Sequence, residues 1–86
     1  QVIDGAGLYV LPGLTEKHAH LPSSRMSDID VRNELFLYIA NGVTTVRAMQ
    51  GDSSQFDLRH QIESGLVTGP QLYLASLPMS GNDVKT

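Results

Sequence analysis

The sequence predicts an α/β fold assembled from successive parallel βα units, and three observations carry that prediction. Short β-branched or apolar runs alternate with segments of helical periodicity, in the order strand, helix, strand, helix, strand. The helical segments span about 10–14 residues, the length of a crossover between parallel strands rather than of a hairpin loop. Turn signals punctuate the boundaries at Pro12-Gly13, Asn41-Gly42 and Gly69-Pro70.

Taken in order, Val2-Ile3-Asp4 and Leu8-Tyr9-Val10-Leu11 are short apolar runs around Asp4-Gly5-Ala6-Gly7, which predicts a turn or hairpin. The Gly5-X-Gly7 pair is read as turn chemistry and not as a nucleotide loop, because Val10 stands where a third glycine belongs. Gly13 to Ala19 is the first predicted strand, and Leu21-Pro22-Ser23-Ser24-Arg25-Met26 reads as a loop. Ser27 is a suitable helix cap, and Asp30 three residues later completes a capping-box-like pattern. The helix is expected over Asp28 to Ala40, with Val31, Leu35, Tyr38 and Ile39 on one face and Asp30, Asn33 and Glu34 away from it. Phe36, Leu37 and Ala40 are expected to extend the apolar cover against neighbouring helices. Asn41-Gly42 supplies the stop.

Val43 to Arg47 is a β-branched second strand, followed by a loop over Met49 to Ser54. A second helix is expected over Phe56 to Ser64, carrying Leu58 and Ile62 at i,i+4 and ending at Gly65. Gln71 to Ser76 is the third predicted strand, and Leu77 to Gly81 a third loop, with Ser80, Asn82 and Asp83 as ordinary loop residues.

The chemistry is concentrated at the end of the first strand, in His18-Ala19-His20. Side chains alternate along a strand, so these two imidazoles share a face, with Cα atoms roughly 6.5–7 Å apart. Neutral imidazole is a common ligand for zinc and other transition metals, and such spacing lets both rings lean towards one ion. The plainer reading is a pair of polar residues at an exposed strand end, since the triplet alone is a weak metal signal. His60, on the second helix among Arg59 and Gln61, is read as a solvated or packing residue and is left out of the metal site.

With 86 residues, no Cys and a net charge of −3, the chain suits one small domain that buries a modest part of its surface. Disulfides and thiolate metal sites are excluded by the absence of Cys. The mild negative charge argues against nucleic acid as a partner, and no apolar run approaches the ~20 residues of a membrane span. No signal-peptide pattern precedes the first strand, and the cytoplasm is the expected compartment. The start at Gln1 and the lack of a closing element near Thr86 read as a piece of a longer protein.

Pro12-Gly13-Leu14-Thr15-Glu16-Lys17-His18-Ala19-His20 resembles the first barrel strand of the metal-dependent amidohydrolase superfamily, whose pattern is approximately Pro-Gly-Leu-Ile-Asp-X-His-X-His. Gly42-Val43-Thr44-Thr45-Val46-Arg47 resembles that family's Gly-Val-Thr-Thr-Val-Arg-Asp segment. Ile62-Glu63-Ser64-Gly65 with Gly69-Pro70 is similar to its imidazolonepropionase-related and dipeptidase-like branch. Glu16 and Ala48 depart from the usual Asp, and Gln71 from the usual Arg.

The resemblance implies a partial TIM (β/α)8 barrel comprising the first three or so βα units over residues 11–86. Residues 1–10 would be the end of a small β domain flanking it. A complete barrel needs about 250 residues. His18 and His20 would then be ligands for Zn2+ or another divalent transition metal, one or two ions in the full site, hydrolysing amide or cyclic C–N bonds with activated water. Expected substrates are a small-molecule amide, a dipeptide or a cyclic amide, and open strand edges suggest self-association or a homo-oligomer. Arg47, at a strand's C-terminal end, is a candidate contact for a substrate carboxylate, although a structural ion pair or simple exposure is the preferred reading. The remaining ligands and the proton-handling Asp come, in the family, from later strands, so no general base is named. The rival reading is a non-catalytic structural or interaction fragment, inactive as the isolated chain.

Overall fold

A computed structural model describes residues 1–81. Three strands and two helices alternate: β1 Leu14–Ala19, α1 Asp28–Ala40, β2 Val43–Ala48, α2 Ser54–Glu63 and β3 Gln71–Tyr73. The strands form one sheet in the order β1-β2-β3, and both pairings are parallel. The α/β class and the order of elements are those expected from the sequence.

The core lies between the sheet and the helices. Leu35 of α1 and Val46 of β2 are fully buried at its centre, joined by Ala48 of the same strand and by Ala19, Leu58 and Leu72 from the other elements. Val31, Tyr38, Ile62 and Leu74 pack against this cluster from its margins. Burying each branched side chain contributes on the order of 1.5–3 kcal/mol, so a cluster of this size holds the sheet and helices together with little in reserve. Phe36 and Leu37, expected to meet neighbouring helices, are instead 57% and 59% exposed. Of the described residues, only one side of α1 has anything to pack against, and that side is taken by Leu35.

Helix α1 begins as its sequence dictates. The Ser27 hydroxyl accepts the Asp30 amide at 3.2 Å and donates to the Asp30 carboxylate at 2.6 Å, so the two residues cap the first turn together. At the other end the Asn41 side chain donates to the Leu37 carbonyl at 2.8 Å, and Gly42 follows with φ +77°. That left-handed conformation turns the chain directly into β2, since the Gly42 carbonyl accepts the Leu14 amide at 2.8 Å.

Several details differ from expectation, and the main ones have local reasons. Helix α2 starts at Ser54 and not Phe56, because the Asp52 side chain takes the Ser54 amide at 2.9 Å while its carbonyl takes that of Gln55. Strand β3 ends at Tyr73 instead of Ser76; its ladder runs out at the Arg47–Tyr73 pair, one residue before β2 itself ends. The turn at Asp4–Gly7 forms, with the Leu8 amide donating to the Gly5 carbonyl at 2.9 Å, but the flanking apolar runs do not pair and Tyr9 is 96% exposed. Asn82 and Asp83 lie outside the described residues.

Gly42 tests the α1–β2 junction. No side chain crowds the space a Cβ would occupy there, so backbone strain alone sets the cost of substitution. Gly42→Val should destabilise by about 1–3 kcal/mol, whereas Asn33→Ala on the exposed face of α1 should stay within about 0.5 kcal/mol. In thermal melts that difference is roughly 4–8 °C per kcal/mol for a domain of this size. Equal melting temperatures would contradict the junction described here.

Candidate metal centre

His18 and His20 sit at the C-terminal end of β1, where the loops after all three strands gather. Their ring centroids are 5.5 Å apart and the ring planes cross at 64°. Both side chains are exposed, and buried Ala19 between them faces the core. With metal–nitrogen distances of about 2.0–2.1 Å, two imidazoles on one tetrahedral ion have ring centres roughly 5 Å apart. The 5.5 Å separation is close to that value. Among the described residues no group of three or more His, Asp or Glu converges on a common point, so the pair stands without a third ligand from this segment. His60 remains apart, exposed near the end of α2.

The strand reaches this geometry through an irregularity. Glu16 pairs with Val46 and Ala19 with Ala48, so Lys17 and His18 together stand opposite Arg47 alone. Two residues against one is a β-bulge, which bends a strand and redirects its side chains. Glu16 does not stand free beside the histidines. Its carboxylate turns back to accept the His18 amide at 2.8 Å. It also lies close enough to the Tyr38 phenol on α1 to raise that group's pKa, together with burial (the larger cause) and Glu34.

Arg47, the candidate substrate contact, is committed to the scaffold. Its Nε donates to the Lys17 carbonyl at 3.0 Å, and its terminal nitrogen lies 3.6 Å from the Met49 sulfur. The partner is a backbone carbonyl and not the carboxylate of an ion pair. His20 is held differently, since the Ala19 carbonyl preceding it accepts the Met49 amide at 2.9 Å.

Two shallow grooves meet at His20 and Gln50. One runs between the β1–α1 and β2–α2 loops and presents Arg25, Asp52 and Gln55; the other is lined by Met49 and by Ala75 to Met79. Gly51 lets the second loop approach the segment after β3. Its amide donates to the Ser76 carbonyl at 3.0 Å, and an added Cβ would strike the Ala75 carbonyl oxygen.

Gln55 is a residue that sequence reasoning missed. It is only 2% exposed, and its amide nitrogen donates to the Pro22 carbonyl at 3.3 Å, tying α2 to the loop that leaves His20. Its Oε1 is buried without a hydrogen-bond partner among the described residues. Nothing in Ser53-Ser54-Gln55-Phe56 marks it, because a glutamine in a polar helical turn is ordinarily solvated.

Asp52 knits the same two loops. Ser54, through its hydroxyl and then its amide, holds its pKa below the ordinary aspartate value against the opposing effect of burial, with a lesser contribution from Ser24, whose hydroxyl lies at 3.4 Å. A lowered folded pKa means stability that is present above the ordinary value and lost as pH falls through the lowered one. Asp52→Asn should therefore melt below wild type at neutral pH, and the gap should narrow as the pH drops beneath the ordinary aspartate range. A gap that widens in acid would contradict these bonds.

Comparison of the chain with protein-family models, with curated proteins and with solved structures returned no match.

Proposed function

We propose that this chain supplies the opening βα units of a (β/α)8-barrel hydrolase of the amidohydrolase type, with His18 and His20 as its first two metal ligands. The observation that carries the reading is the imidazole pair, with centroids 5.5 Å apart, at the C-terminal end of a parallel strand. In α/β barrels that end of the strands is where active sites are built. The resemblance of Pro12 to His20 and of Gly42 to Arg47 to the family's strand segments supports the same reading. A zinc-type ion supplies an acidified water and a Lewis acid when bound. This chain's own share is to bind and orient. His18 and His20 offer neutral nitrogens, β2 braces the backbone that carries them, and the two grooves beside His20 leave room for a small amide, dipeptide or cyclic amide. A catalytic zinc takes three protein ligands, so at least one more, together with the group that handles the proton, would come from further strands.

A second reading, a structural or interaction segment with no activity of its own, is favoured by the two-ligand set. The two readings part on metal content. In the full-length protein His18→Ala and His20→Ala should each remove tightly bound metal and hydrolysis, while His60→Ala should remove neither. Elemental analysis of the three purified variants decides it, and unchanged metal in the His18 and His20 variants would rule out the ligand assignment.

The 86-residue chain alone should neither hydrolyse amides nor hold zinc tightly. Two neutral ligands on an exposed strand end carry an ordering cost that a complete site avoids. The outer edges of β1 and β3 also leave backbone groups unpaired among the described residues, which favours association between copies. Calorimetric zinc titration and light scattering check both points. A monomer that binds zinc with nanomolar affinity would identify a self-sufficient metal module instead.

A further inference from the structure

Resting on the assignment of His18 as a metal ligand, we propose that Glu16 and Arg47 are positioning residues that clamp the Lys17–His18 peptide between them and so aim the His18 imidazole. The bulge takes this peptide out of the ladder, because Lys17 and His18 share the single opposing residue Arg47. Both of its polar groups are nonetheless satisfied, each by a charged side chain. The amide donates to the Glu16 carboxylate at 2.8 Å, and the carbonyl accepts from the Arg47 guanidinium at 3.0 Å.

Bonds with one ionised partner are shorter and about twice as strong as neutral ones. Acting on opposite edges of one planar unit, they fix its rotation about the chain axis. The His18 amide nitrogen and Cα lie in the clamped plane, so its rotation and the His18 φ together set the Cα–Cβ direction. The two charges are opposite, so the clamp adds no net charge beside the imidazoles. Ala19–His20 needs no such device, because its carbonyl is bonded to the backbone of β2. The clamp therefore acts on one imidazole and leaves the other alone, which separates positioning from general support of the fold.

Cobalt(II) titration and imidazole NMR of the full-length protein test the clamp. Glu16→Ala and Arg47→Met, the latter filling similar space beside Met49 without a donor, should each weaken cobalt binding about tenfold and alter its visible spectrum. Glu16→Gln, which keeps an acceptor oxygen, should restore affinity to within about twofold of wild type. In the metal-free protein the ring signals of His18 should shift in both weakened variants while those of His20 stay in place. Folded variants that match wild type in affinity and spectrum would overturn the clamp, as would equal displacement of both rings. If His18→Ala binds cobalt as well as wild type, the ligand assignment fails and the clamp with it.

Discussion

Where β1 sets Lys17 and His18 against Arg47 alone, the backbone gives up two ladder partners at the point where the histidine pair begins. An unsatisfied amide or carbonyl at such a point costs about 1–3 kcal/mol where it is shielded from water, and invites a local rearrangement where it is not. Glu16 and Arg47 supply the missing partners, and β2 supplies the next one through the Met49 amide. The result is a strand end that changes course without losing its hydrogen bonds. The two imidazoles stand 5.5 Å apart at this strand end.

The rest of the segment serves to hold that strand end in place. Val46 is fully buried beneath β2, next to the residue that braces Lys17, and Leu35 presses on it from α1. Asp52 and Gln55 bind the second loop and helix to the loop leaving His20, through Ser24 and Pro22. Gly51 brings in the segment after β3 by the close approach that only glycine allows. A substrate near His20 would therefore meet loops that are bonded to one another. All of them leave the C-terminal ends of parallel strands.

Much of this was legible in the sequence where one short-range rule governs. Helix α1 has the boundaries expected from Ser27, Asp30 and Asn41-Gly42, because capping is decided within a few residues. The nearness of His18 and His20 follows from strand alternation over three residues. What escaped depends on contacts across the fold. A bulge at Lys17 carries no glycine or proline to announce it, and the bond from Arg47 to the Lys17 carbonyl spans 30 positions. Gln55 looks like any solvated helical glutamine until the loop at Pro22 covers it. Phe36 and Leu37 read as apolar cover against neighbouring helices, yet burial depends on what stands opposite. The apolar runs before Pro12 show the same limit, since a strand needs a partner as well as a propensity.

Zinc titration followed by long-range nitrogen–proton NMR of the imidazoles observes directly whether His18 and His20 share one ion, as proposed. With a shared ion the ring resonances of His18 and His20 change together, with one stoichiometry and one affinity, while those of His60 stay where they are. Independent titration of His18 and His20, or a response confined to His60, would contradict it.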